Sequence, residues 1–103
     1  MKTTEFDSAI AGVRYHKEQY LKAAVAKGDV LVLEAEPLNE YDSYAIKVLK
    51  GEMLLGYIPR TYNLAIHEAV TTTPEAVTCT VTFATSSVCA IRVRLAETED
   101  SVQ

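Results

Sequence analysis

Basic residues are in short supply in this chain of 103 residues: 10 Lys and Arg face 14 Asp and Glu, for a formal net charge of −4. Proteins that hold nucleic acid by broad phosphate contact carry a basic excess, because counterion release supplies much of the affinity. The acidic balance counts against that mode. A nucleic-acid site here has to gather a few cations on one face, and is expected to bind weakly with a shallow salt dependence. Glycine is also scarce. The four glycines are dispersed, no phosphate-cradling loop is present, and an ATPase is excluded. Two cysteines, Cys79 and Cys89, and two histidines, His16 and His67, lack the spacing of a zinc site. Buried thiols in a reducing compartment are the expectation. No apolar run is long enough to cross a bilayer. The start, Met1 to Asp7, lacks the apolar centre of a secretory signal, which points to the cytoplasm.

What is present fits one globular domain. Hydrophobic residues make up 49% of the chain and charged residues 23%, ordinary values for a folded protein. No repeat or linker divides it. The domain is expected over residues 1–97, with the polar, acidic stretch Thr98 to Gln103 as a frayed tail.

Apolar alternation from Phe6 to His16 predicts a strand, with Gly12 as a bulge or bend. Lys17 to Lys27 reads as a short helix stopped at Gly28. Val30 to Glu36 reads as a strand ended by Pro37, and Leu38 to Ser43 as a loop with Asn39 and Asp42 as turn formers. Ala45 to Lys50 and Met53 to Ile58 form a hairpin across Gly51-Glu52. Thr61 is the expected N-cap of a helix carrying Leu64, Ala65, Glu68 and Ala69 at helical spacing.

The last third is a second hairpin. Val77, Cys79, Val81 and Phe83 alternate with threonines, and Cys89, Ile91, Val93 and Leu95 alternate with Ala90, Arg92 and Arg94. Matching the two apolar faces requires an odd loop, such as three residues. That register separates the cysteines by about six residues, near 20 Å, too far for a disulfide. About six strands and one or two short helices in so short a chain predict a mainly β fold, a small OB-like or SH3-like barrel whose closure removes exposed edges.

The middle of the chain carries an ordered pattern. Gly12-Val13-Arg14-Tyr15 and Gly28 precede Glu36-Pro37, Tyr41-Asp42 and Ala45-Ile46-Lys47-Val48, and Gly56-Tyr57-Ile58-Pro59-Arg60 follows. It resembles the HIRAN family, whose members stand alone in bacteria or precede helicase-like remodelling ATPases. The resemblance spans roughly Ala9 to Val70, about two thirds of the chain. It implies an OB-like barrel that captures the free 3′-hydroxyl end of single-stranded DNA. On matching positions, Tyr15 and Tyr41 would stack on terminal bases and Asp42 would accept a hydrogen bond from the hydroxyl. Arg14 and Arg60 would neutralise phosphates, and Tyr57 would donate to one. Leu38, Glu40 and Tyr44 depart from the family pattern. No cofactor, metal or membrane is expected.

Each residue also has a plainer role. Tyr15 and Tyr41 also read as half-buried strand-edge residues. Asp42 also reads as a turn former that hydrogen-bonds backbone two residues on. Arg92 and Arg94 form either a second phosphate stripe or an ordinary polar sheet face. Glu34, Glu36, Glu40 and Asp42 are a carboxylate cluster without a His, Lys or Cys at ligand spacing, which argues against a metal nuclease and against catalysis. Two readings remain: a binding module for a single-stranded DNA end, and a non-catalytic protein-interaction module that binds no nucleic acid. Oligomeric state is open on both.

Overall fold

The structure is a computed structural model that describes residues 3–96; the acidic tail expected at 98–103 lies outside the described residues. Six strands, β1 (Thr3–Ala9), β2 (Val30–Ala35), β3 (Ile46–Lys50), β4 (Met53–Tyr57), β5 (Val77–Ala84) and β6 (Cys89–Ala96), form one antiparallel sheet. Its order is β1-β6-β5-β2-β3-β4. Just past β1, Ala11 pairs with Tyr57 of β4: each N–H donates to the other's carbonyl, at 2.8 and 2.9 Å. This joins one edge of the sheet to the other, so the sheet curls into a small barrel pinned at that point. The mainly β architecture expected from the alternating pattern is therefore the one observed. Among the described residues no helix is long and apolar enough to cross a membrane.

Alternation explains the core. Ile46 and Val48 of β3, Leu55 of β4, and Cys89, Ile91 and Val93 of β6 are fully buried, and Ile66 of the helix α2 (Arg60–Thr72) closes over them. The α2 face that packs inward is Asn63, Ile66 and Val70, not the row through Leu64; Leu64 is exposed. Helix α2 also starts two residues earlier than an N-cap at Thr61 implies. Pro59 occupies the N-cap and no side chain caps the helix. Pro59 lacks an N–H and fixes its own φ, which is enough to set the boundary.

Three further elements differ from the sequence reading. The first strand ends at Ala9, because Gly12 takes a left-handed φ of 77° and turns the chain into a 3-10 turn, Val13–His16. The helix that follows, α1 (Lys17–Ala23), ends at Ala24, itself left-handed, four residues before Gly28. In the last hairpin the loop is four residues, Thr85 to Val88, since Ala84 faces Cys89. A bulge between Val81 and Phe83 supplies the missing odd residue. Parity is restored, but Phe83 is turned out to solvent and exposed. Cys79 faces Val93 and Cys89 faces Ala84, so the cysteines lie four β6 positions apart rather than six. Both thiols are free and buried. Burial pushes Cys79 up to about 12, aided by nearby Cys89.

Candidate nucleic-acid interface

The loop between β2 and β3 is built by side chains that bond backbone. Asn39 Oδ1 accepts from the N–H groups of Tyr41 (2.8 Å) and Asp42 (3.0 Å), while its Nδ2 donates to Glu36 Oε1 at 2.8 Å. Asp42 Oδ1 accepts from the N–H of Tyr44 at 2.9 Å. Asn and Asp stabilise turns in this way because their short side chains reach backbone two or three residues on. The result is a fixed loop that presents Tyr41, a residue 84% exposed.

Helix α2 supplies the facing wall. Asn63 stands three residues after Arg60, so both point to the same side of the helix. Asn63 is buried and donates Nδ2 to Asp42 Oδ2 at 2.8 Å. Arg60 Nη2 donates to the Tyr41 carbonyl at 3.1 Å, and its Nε lies 3.5 Å from Asp42 Oδ2. Most of the guanidinium remains open to solvent. Asp42 thus plays the turn role, and its two oxygens, with four lone-pair sites, still have acceptor capacity.

The third wall is Tyr57 of β4. Its hydroxyl donates to Glu36 Oε1 at 2.9 Å, so its proton is already engaged, and toward a ligand it offers a ring face and an acceptor. Burial raises the Tyr57 phenol above its usual range, and the Glu36 carboxylate adds to this. Glu36 is held below the usual carboxylate range by the Asn39 amide first, then by the Tyr57 hydroxyl and the Lys47 charge. Glu34 pairs with Lys47 at 2.9 Å. Among the described residues no group of three or more His, Cys, Asp and Glu is placed to hold a metal ion.

Tyr41, Asp42, Tyr57 and Arg60 therefore line one open depression of about 220 Å³, with Asn39, Asn63 and Ala11 completing it. Arg14 and Tyr15 do not line it. They lie on the 3-10 turn that begins two residues after Ala11, and Tyr15 is exposed. The Arg14 guanidinium stacks 4.9 Å from the Tyr15 ring centre and donates to its hydroxyl at 2.9 Å. Asn39 organises the loop as the turn former expected from the sequence, and Asn63 is the organising residue that sequence reasoning passed over. The Asn63 signal was its i+3 spacing from Arg60.

Gly56, in the Gly-Tyr-Ile-Pro run, has a steric reason. A Cβ there would collide with the Ala11 carbonyl oxygen and come within 2.6 Å of Ile10 Cγ2. Only a glycine lets β4 meet Ala11 and set Tyr57 at the rim.

The HIRAN domain model matches residues 3–98. The chain belongs to the HIRAN family. The HIRAN domain of human HLTF, in a crystal structure, is 18% identical over 93% of this chain and 78% of that one, with a TM-score of 0.75. A crystal structure of a protein from Lactobacillus plantarum is 19% identical over 91% of this chain and 97% of that one, with a TM-score of 0.73. At these identities the likeness shows that the HIRAN fold is shared. No protein of curated function matches the sequence.

Proposed function

We propose that this HIRAN domain is a nucleic-acid-binding module that grips the free 3′-hydroxyl end of single-stranded DNA. The observation that carries the reading is the depression in which an exposed Tyr41 ring, the Asp42 carboxylate and the Arg60 guanidinium stand together. Tyr41 stacks on the terminal base, Arg60 neutralises a phosphate, and Asp42 accepts from the hydroxyl. Arg14 and Tyr15, on the turn that follows Ala11, offer a further cation and ring beside the same terminal nucleotide. Stacking on an aromatic contributes about 1–3 kcal/mol per base whatever the sequence, which suits a module with few cations. The domain acts by binding, without a catalytic group.

The test uses a fluorescent oligonucleotide with a free 3′ end and the same strand 3′-phosphorylated. Asp42→Asn keeps an acceptor for the Tyr44 N–H but removes the charge that repels a terminal phosphate. Wild type should prefer the free end by about tenfold, a difference of about 1.4 kcal/mol, and the variant should lose most of that preference. An unchanged preference, with the fold intact by circular dichroism, would sink the end-capture reading.

A specific observation also supports the protein-interaction alternative. Strands β2 and β5 pair only at Val30–Thr80 and Leu31–Cys79, and where they separate, exposed Val30 and Val32 border an apolar cavity of about 290 Å³. If wild type binds no oligonucleotide at low salt, that face becomes the leading site.

A further inference from the structure

Resting on the DNA-end reading, we propose a second base subsite beside the first, formed by Tyr44 and Leu64, for a nucleotide further along the same strand. A separate depression of about 290 Å³ lies across Tyr41, Asp42, Arg60 and Asn63 from the first, and its far side is Tyr44 and Leu64. The four shared residues form the divide between the two. One guanidinium, Arg60, therefore reaches both sides, where a backbone phosphate linking two bound nucleotides would lie.

The far side has the character of a base platform. Tyr44 and Leu64 are large side chains left exposed, at 48% and 64%. Tyr44 is held rather than loose. Its N–H is fixed by Asp42 Oδ1, and its ring packs edge-to-face with His67 at 5.2 Å. A preorganised ring loses little freedom when a base lands on it. The same carboxylate that would receive the strand end also positions this ring, so both depressions are set by one rigid loop. The occupant is a nucleotide rather than an apolar peptide because the two depressions share Arg60 as a common wall, and stacking asks only for a π face. Tyr44 and Leu64 thus extend the grip inward from the end, which offsets the low cation count.

The experiment places 2-aminopurine singly at successive positions from the 3′ end of an oligothymidine and reads its quenching by the whole protein. In wild type, the terminal position and one inner position should be quenched. Tyr44→Ser should restore fluorescence at the inner position alone and lower affinity by about tenfold for strands long enough to reach it. Affinity for the shortest binding strand should be unchanged. Leu64→Ser, an exposed helix-surface change, is the second variant and should act in the same direction but less. If wild type binds the strand and neither variant alters any position, the subsite is wrong and the end-capture reading stands. If wild type binds no strand, both fall.

Discussion

Two surfaces of this domain carry arginines among polar residues, and only one is suited to an anion. On the outer face of β1, β6 and β5, Arg92 Nε meets Asp7 Oδ1 at 2.7 Å and Arg94 Nε meets Glu5 Oε2 at 2.9 Å. The register sets these pairs directly opposite each other, Asp7 against Arg92 and Glu5 against Arg94. Each cation there is matched across one strand spacing, as cross-strand pairs favour. At the barrel rim, Arg60 has one carboxylate at 3.5 Å, and that carboxylate is shared with Asn63 and the Tyr44 N–H. The Arg60 side chain remains 76% exposed. By number, the sheet face carries two arginines and the depression at the rim is lined by one, Arg60. Pairing reverses the order, so the second phosphate stripe considered for Arg92 and Arg94 reads as an ion-paired sheet face.

The largest effect should come from breaking the rim without touching the sheet face. Gly56→Ala sets a methyl against the Ala11 carbonyl and Ile10, and backbone cannot yield as a side chain can. Overpacking of this kind costs about 3 kcal/mol. Chemical denaturation should show that loss, and the amides of Ala11 and Tyr57 should lose protection from exchange. The Asp7–Arg92 ladder on the far side should lose protection only by the global loss of stability, and so less than the two bridge amides. A variant as stable as wild type would mean that the Ala11–Tyr57 bridge does not depend on the close approach.

A smaller effect separates the arginines themselves. Arg60→Ala should weaken oligonucleotide binding by about five- to tenfold and lower the salt slope by about one. The double change Arg92→Ala with Arg94→Ala removes twice the charge. It should nevertheless leave affinity within twofold or so of wild type, since those guanidiniums already have carboxylate partners. If the double variant lost more than Arg60→Ala, the strand would run over the sheet face and the rim would not be the interface.

The readable parts of the molecule were those governed by one short-range rule. Both hairpins follow from period-two alternation, and Pro37, Pro59 and the Gly51-Glu52 turn punctuate them where the structure does. Parity alone required one odd residue in the last hairpin. It could not say that a bulge at Val81/Phe83 would supply it, because loop and bulge satisfy parity equally. The 3-10 turn at Val13–His16 was hidden because its apolar residues continue the alternation of β1, and only the φ of Gly12 breaks it. At the candidate site, Tyr41, Asp42, Tyr57 and Arg60 were legible from the family pattern, and they line one depression. Asn63 was not, because a polar residue on a helix looks solvent-facing until its partner across the fold is known. Arg14 and Tyr15 were expected to share the same groove. The 3-10 turn carries them to one side of it, a consequence of Gly12 that alternation does not encode.

The smallest expected effect concerns the carboxylate that holds the loop from behind. Glu36 accepts from Asn39 and Tyr57, and Asn39 in turn fixes the N–H groups of Tyr41 and Asp42. These donors favour the charged form and depress its pKa below the ordinary 4.5. The folded state thus binds a proton at Glu36 less readily than the unfolded chain does. The stabilisation is complete at neutral pH, above the unfolded value, and is lost as pH falls through the lower folded value. Asp7 and Asp29 are depressed too, by Arg92 and Lys50 respectively, so the acid limb of wild type is a sum of several groups. Glu36→Gln isolates one of them. Its amide oxygen can still accept from Asn39 and Tyr57, but it cannot titrate. The melting midpoint of the variant should fall less steeply than that of wild type below about pH 4.5, the range set by the unfolded carboxylate. The Tyr41 and Asp42 amide signals should show a wild-type titration step in that range that is missing in the variant. The Asp7–Arg92 pair, which does not touch Glu36, should titrate alike in both proteins. Identical acid limbs in the two proteins would detach the loop from Glu36 and leave Asn39 alone to hold Tyr41 at the rim.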